Sequence, residues 1–392
     1  MTIAQQIAHD FLASIEKVCV ENKIDIGSLE TSIIYDKGKV VVGMSGGVDS
    51  SVAALLLKEQ GYDVIGVTMQ IWQEENPLDI AENGGCCGLS AVDDARRVAD
   101  VLGIPYYVMN FRDEFRHKVI DYFIDEYYKG RTPNPCIACN RYIKWESLLH
   151  RSIEIGADYI ATGHYGRIVR LPNGRYSVAK SASLNKDQSY VLYNLTQEEL
   201  KHTLFPIYGY EKEDVRRIAE QNNLPVAHKK DSQDICFVPD GDYAAFIRSE
   251  TGIQDVPGDF VDTQGNVLGR HKGIIHYTVG QRKGLGIAFG EPRFVLRINP
   301  ADNTVTLGTA KELMKSRVNV CDVNYMAVPE ITGPVRAAGK LRYSQEAALC
   351  TLMPDGNGGI IAEFDEPMRA ATPGQSAVFY VDDSILCGGI IV

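Results

Sequence analysis

The sequence predicts an α/β fold, a parallel sheet with helices on both faces, followed by two β-rich modules. Three observations lead there. The run Val40-Val41-Val42-Gly43-Met44-Ser45-Gly46-Gly47-Val48-Asp49-Ser50-Ser51 reads as a buried strand, a glycine turn and a helix start. From 39 to about 163, strand-like apolar runs alternate with helical ones, the pattern of a parallel sheet covered by helices. Beyond about 251, glycines, prolines and short alternating runs dominate, which points to a small β module and then a β-barrel.

In chain order, Ile7, Phe11, Ile15 and Val18 recur at helical spacing, so residues 1–38 are expected to be a helical extension. Residues 39–245 form the expected catalytic domain, 246–306 a central β-rich domain and 307–392 the barrel. Strands are expected at 40–44, 64–69, 106–110 and 159–162. Helices are expected at 51–60, 91–102, 114–128 and 142–155, the first capped by Ser50. Pro172-Asn173-Gly174 signals a hairpin, and a helix at 213–221 follows. Short strands are expected at 293–298, 304–307, 339–343, 348–352, 360–364 and 376–380.

At 392 residues, 45% hydrophobic and 23% charged, the chain has the make-up of a soluble globular protein. No apolar run nears the roughly 20 residues that span a bilayer, and the N-terminus reads as neither signal peptide nor mitochondrial presequence. A net charge of −11 argues against indiscriminate nucleic-acid binding but leaves room for a local basic patch. The cysteine count, nine, is odd and the spacing irregular. Reduced cytoplasmic thiols are therefore expected rather than a disulfide framework.

Two stretches carry chemistry. A strand, a glycine turn and a helix N-terminus make an anion site, because free N–H groups and the helix dipole converge there. No Gly-Lys-Ser/Thr follows, so this is not a Walker A loop. The second stretch is Gly130-Arg131-Thr132-Pro133-Asn134-Pro135-Cys136-Ile137-Ala138-Cys139-Asn140. Cys139 is expected to open a helix, which favours its thiolate. Cys236 follows in Lys230-Asp231-Ser232-Gln233-Asp234-Ile235-Cys236-Phe237. A lone C-x-x-C leaves zinc, redox and chance open, and with no second pair a closed zinc site is poorly supported. Cys19, Cys321, Cys350 and Cys387 read as small buried residues, the Cys86-Cys87 pair as loop. Phe115, Tyr122, Phe123 and Tyr127 read as core.

The glycine loop resembles that of the ATP pyrophosphatases. GMSGGVDSS, GRTPNPC-x-x-CN, ATGHY, KDQSY, DSQDICF, YTVGQRKGLGI and TPGQSAVFY, in this order, resemble the bacterial tRNA 2-thiouridylases from about Val40 to the C-terminus. The resemblance implies an ATP-dependent sulfurtransferase acting on a wobble uridine, with tRNA and a persulfide-donating protein as partners and ATP with Mg²⁺ as cofactors. It implies that Gly43, Met44, Ser45, Gly46, Gly47, Val48, Asp49 and Ser50 hold the ATP phosphates, Asp49 also placing Mg²⁺, and that Met69 and Gly163 border the adenosine. Cys139 takes the nucleophile position and Cys236 the persulfide position. Asn134, His164, Lys186, Asp187, Gln188, Arg342, Tyr343 and Gln375 take tRNA-contact positions. Cys136 stands where many members carry Asp, so an iron–sulfur cluster on Cys136, Cys139 and Cys236 is the second reading. A small-molecule ATP pyrophosphatase would explain the loop without the cysteines. A non-catalytic RNA-binding or cluster-carrying protein would explain the cysteines without the loop.

Overall fold

The structure, a computed structural model, describes residues 37–71, 89–230, 235–238, 240–287 and 290–392. The expected N-terminal helix, Cys19 and the Cys86-Cys87 pair lie outside the described residues.

The first sheet has the strand order β3-β2-β1-β4-β7, all parallel. Its strands are β1 (Lys39–Gly43), β2 (Asp63–Gln70), β3 (Tyr106–Asn110), β4 (Tyr159–Thr162) and β7 (Thr203–Leu204). Side chains alternate between the faces of a strand, and β1 divides accordingly. Val40 and Val42 join one core with Val52 and Leu56 of helix α1 (Val48–Glu59) and with Val98 of α2 (Leu89–Leu102). Val41 joins the opposite core with Phe115, Trp145 and Ile160. Helices on both faces follow from that alternation, and β1, buried between them, can be all valine.

The second core is built by two long helical bodies. Helix α3 starts as Arg112–Phe115, passes through π-helical turns at Arg116–Ile120 and ends as Asp121–Tyr128. Helix α4 starts as Pro135–Ala138, is π-helical over Cys139–Leu148 and ends as Leu149–Glu154. Phe115, Phe123 and Tyr127 are buried, as core residues should be.

After β4 the hairpin β5 (Arg167–Arg170) and β6 (Tyr176–Ala179) forms around Pro172-Asn173-Gly174. It leaves the first sheet and adds to the distant barrel, where Ala179 pairs with Ser384. Helices α5 (Gln197–Lys201), α6 (Lys212–Gln221) and α7 (Tyr243–Thr251) complete this part. A four-stranded sheet of β8 (Gly258–Val261), β9 (Val267–His271), β10 (Phe294–Asn299) and β11 (Thr304–Gly308) encloses Phe260, Tyr277, Val295 and Leu307. The final sheet runs β12-β15-β14-β13-β16-β17 and closes through β12–β17 pairing into a six-stranded barrel. Its strands are β12 (Met314–Tyr325), β13 (Val335–Lys340), β14 (Ala348–Pro354), β15 (Ile360–Arg369), β16 (Ser376–Val381) and β17 (Ser384–Ile391).

Several expectations need correction. Helix α1 begins at Val48 with Gly47 at its N-cap, so Ser50 lies inside the first turn and does not cap it. Cys139 does not open its helix: α4 starts at Pro135, capped by Asn134. Arg342 and Tyr343 are not on a strand, because β13 ends at Lys340. Cys321 is exposed, whereas Cys350 and Cys387 are buried as expected. Among the described residues no helix is long and apolar enough to cross a membrane.

Candidate active site

The crevice forms at the carboxyl ends of β1, β2 and β4, where open parallel sheets place their ligands. Met44, which follows β1, accepts a bond from Thr68 of β2 at 2.7 Å, and Thr68 is in turn held by the Tyr106 hydroxyl at 2.7 Å. The chain then turns through Ser45–Gly47 into α1. Ser50 Oγ donates to Gly47 O at 3.1 Å and accepts from Ser45 N at 3.2 Å, which braces the turn from inside. Ser51 makes the first intrahelical bond, to Gly47 O at 3.3 Å. The N–H groups before it stand at the positive end of the helix. Gly163, just past β4, has to be glycine: a Cβ there would lie 2.5 Å from Ser50 N. This close approach presses the end of β4 onto the first turn of α1.

Asp49 is held from behind. Lys212 Nζ donates to both of its carboxylate oxygens at 2.8 Å, and the Tyr165 hydroxyl donates to Oδ1 at 2.9 Å. Lys212 is 6% exposed. These contacts take three of the carboxylate's roughly four lone-pair positions. One acceptor position remains, enough for the single carboxylate with which Mg²⁺ commonly joins substrate phosphates.

Opposite the loop stands α4. Asn134 Oδ1 accepts from the backbone N–H of Cys136 at 3.1 Å and of Ile137 at 3.4 Å, so this residue shapes the helix start. Cys136 lies in the first turn and is exposed; Cys139 lies one turn further in and is half-buried. The third cysteine arrives on the segment before α7. Its neighbour Phe237 packs edge-on against Phe115 at 5.7 Å and Phe123 at 5.4 Å. The aromatic face of α3 thus anchors Cys236. One crevice is lined by Gly43–Ser45, Asp49, Ser50, Met69, Gly163, His164 and Gln188 together with Cys136, Cys139 and Cys236. Among the described residues no group of three or more His, Cys, Asp or Glu side chains is gathered to hold a metal ion. The three cysteines are therefore not a preformed ligand set for a cluster.

His164 is buried at the crevice floor, with Nδ1 2.7 Å from Thr162 Oγ1 and Nε2 3.3 Å from Lys144 Nζ. Burial, and then the Lys144 charge, push its pKa well below the ordinary 6.5. The ring is neutral at physiological pH.

Of the remaining sequence-predicted residues, Gln188 lines the crevice. Gln188 pairs with Tyr165 through backbone and side chain, at 2.7 and 3.0 Å. Asp187 accepts from Ser181 N at 3.1 Å and Ser189 Oγ at 2.7 Å, bracing its loop, and Lys186 is half-exposed. Tyr343 is exposed; its hydroxyl pKa is raised by partial burial, then by Asp187 and Cys136 nearby. Lys340 lies 5.9 Å from the ring centres of both Tyr190 and Tyr343. Arg342 Nη2 donates to Val279 O at 2.8 Å and Thr372 Oγ1 at 2.5 Å, joining the central module to the barrel. Gln375 Nε2 donates to Thr132 O at 2.8 Å.

Sequence reasoning missed Lys212, Tyr165 and Lys144. Lys144 was hidden by helical pitch. At α-helical pitch it lies about 140° around the axis from Cys139, but over the π-helical stretch residues five apart come together, and both line the crevice. Lys212 and Tyr165 carried no local signal, since their partner is more than a hundred residues away in sequence.

A parallel sheet with an SGGxDS turn at its central strand defines a nucleotide-binding ATP pyrophosphatase fold. A family model described as the tRNA methyl transferase HUP domain matches residues 38–240. Models for the tRNA methyl transferase PRC-barrel domain and the aminomethyltransferase beta-barrel domain match 245–309 and 315–391. The chain is 62% identical over 354 residues to the tRNA-specific 2-thiouridylase MnmA of Lachnoclostridium phytofermentans, covering 90% of this chain and 99% of the relative. It is 56% identical to the protein of that name from Acetivibrio thermocellus, over 91% of this chain and 99% of the relative. For the Clostridium perfringens protein the identity is 55%, over 91% and 98%. The chain belongs to the tRNA-specific 2-thiouridylase family.

Proposed function

We propose that this protein replaces the C2 oxygen of the wobble uridine of tRNA with sulfur, at the expense of ATP. The observation that carries the reading is the meeting of the glycine loop with Cys139 and Cys236 in one crevice. An amide-like oxygen is a poor leaving group. The uracil O2 attacks the α-phosphorus of ATP, pyrophosphate leaves, and O2 is now bonded to AMP. The loop N–H groups and the α1 dipole stabilise charge on the phosphates. Mg²⁺ held by Asp49 would offset the charge of the departing pyrophosphate.

Cys236 receives its sulfur as a persulfide from a donor protein. The outer sulfur attacks C2. Cys139 thiolate then attacks the inner sulfur, the Sγ of Cys236, and the bond between the two persulfide sulfurs breaks. Its electron pair forms the C=S bond as AMP leaves, a proton is released, and Cys139 and Cys236 end as a disulfide. A dithiol reductant restores the enzyme. The base has to leave the anticodon stack to reach C2, and we assign its reception to the rim formed by Tyr343, Lys186 and Lys340. Neutral His164, with Nδ1 on Thr162 Oγ1 and Nε2 on Lys144 Nζ, braces the crevice without adding charge to it.

Although the matching family description speaks of methyl transfer, a phosphate-binding loop facing two thiols suits activation and sulfur transfer. The test is incubation with unmodified tRNA, ATP, Mg²⁺ and a persulfide donor, followed by nucleoside mass analysis. The expected product is 2-thiouridine at the wobble position, with AMP and pyrophosphate in equal amounts. ATP–pyrophosphate exchange that needs no tRNA and survives loss of both cysteines would instead identify a small-molecule ligase.

A further inference from the structure

The loop that leads into the cysteine helix is tied to the far end of the chain. Thr132 N donates to Pro373 O at 2.9 Å. Gln375 Nε2 donates to Thr132 O at 2.8 Å and to Pro133 O at 3.4 Å, across 243 and 242 residues of sequence. Between them Gly374, at φ +88°, lies so close that a Cβ would stand 2.9 Å from Thr132 N. The turn itself is fixed to the barrel, with Gly374 N donating to Ile391 O at 2.9 Å and Ile391 N donating to Gln375 O at 2.8 Å. Arg342 grips the same turn at Thr372 and reaches Val279 of the central module. The next residue after this anchored pair is Asn134, the cap of the helix that carries Cys136 and Cys139.

We propose that Gln375 is a positioning residue for the cysteine helix: its side-chain amide straps Thr132 and Pro133 to the barrel and so fixes where Asn134 starts α4. This rests on the sulfur-transfer reading only in giving Cys139 a partner to meet. The amide of Gln375 is spent on the protein's own backbone, and the barrel turn thereby links Arg342 to the cysteine helix. Misplacing a reacting group by about 1 Å can cost on the order of a hundredfold in rate, so loosening this strap should act on turnover.

The test compares Gln375→Ala and the near-isosteric Gln375→Glu with wild type, using full-length protein. The readouts are hydrogen–deuterium exchange of residues 131–142 without tRNA, tRNA affinity, and single-turnover thiolation. The strap predicts faster exchange in that segment in both variants, turnover reduced about tenfold or more, and tRNA affinity of the Ala variant within about twofold of wild type. If Gln375→Ala proves poorly folded, Gln375→Glu carries the exchange measurement, since it keeps the shape while replacing the amide donor with a carboxylate that the Thr132 and Pro133 carbonyls repel. Unchanged exchange at 131–142 in the folded variants overturns the proposal. So does a loss of tRNA affinity that is larger for Glu than for Ala with exchange unchanged, which would make Gln375 a direct RNA contact. A wild-type enzyme that makes no thiouridine would refute the sulfur-transfer reading but leave the exchange result intact.

Discussion

The two walls of the crevice are built in opposite ways. The glycine wall is local: strand, turn and helix follow one another from Lys39 to Glu59, and the bonds that brace the turn span three to five residues. The cysteine wall is remote: Thr132 and Pro133 are held from residues 373–375, and Cys236 is anchored by rings on a helix more than a hundred residues earlier. A local wall keeps its shape wherever its few residues fold. A remote wall keeps its shape only while the barrel stays docked. Nucleotide binding should therefore survive damage that abolishes sulfur transfer.

The largest expected effect falls on the remote wall. Cys139→Ser and Cys236→Ser should each eliminate thiolation, while Cys136→Ser keeps a measurable part, because a persulfide route needs one carrier and one resolving thiol. All three should still bind ATP. Thiolation by enzyme purified with and without air, with iron content measured alongside, checks this. Equal loss in all three variants that tracks loss of iron would restore the cluster reading.

The ion pair between Asp49 and Lys212 ties the local wall to a helix more than a hundred residues away. Removing Asp49 takes away the carboxylate that accepts two hydrogen bonds from the buried Lys212 ammonium and so weakens the charge pairing there. Asp49→Ala should therefore destabilise the fold as well as stop adenylation. Lys212→Met, which leaves the more accessible carboxylate, should cost less, and the double variant less than the sum of the singles. Urea denaturation of the four proteins decides the matter. Strict additivity would mean the pair is energetically silent.

How much of this was legible follows the same division. β3 and β4 stand where the strand-like runs between helical segments put them, and the glycine loop has the expected strand and helix. Ser50 was misplaced because serine is a common cap, while here its hydroxyl turns back to Gly47 O inside the first turn. Cys139 was misplaced by one turn because Pro135 is itself well suited to begin a helix and Asn134 to cap it. Strand β12 escaped notice: its residues alternate poorly, with Val318 and Val320 inward but a run of exposed polar residues before them. The hairpin at 167–179 was legible as a hairpin, but no local pattern could say that its partner is β17.

A smaller effect probes the crevice floor. His164 has a folded pKa below its unfolded value of about 6.5. Below that pH the unfolded chain takes up a proton that the buried ring refuses, so stability falls as pH drops through this window, by up to about 1.4 kcal/mol per pH unit. Above it the contribution is flat. His164→Gln should remove this share of the slope between pH 6.5 and 5.5, as read from denaturation midpoints. The smallest effect separates two barrel cysteines. Cys321→Ser, at an exposed site, should change stability by no more than about 0.5 kcal/mol. Cys387→Ser, where burial raises the thiol pKa strongly, should cost about 1–3 kcal/mol because a hydroxyl enters an apolar core. Thermal melts of the two variants test this.

The central claim is that the remote wall delivers sulfur by closing on itself. Persulfidated enzyme taken through one turnover with tRNA and Mg²⁺·ATP, without reductant, should yield one Cys139–Cys236 disulfide, mapped by peptide mass analysis, for each 2-thiouridine formed. Thiolated tRNA recovered while both cysteines remain open to alkylation would contradict it.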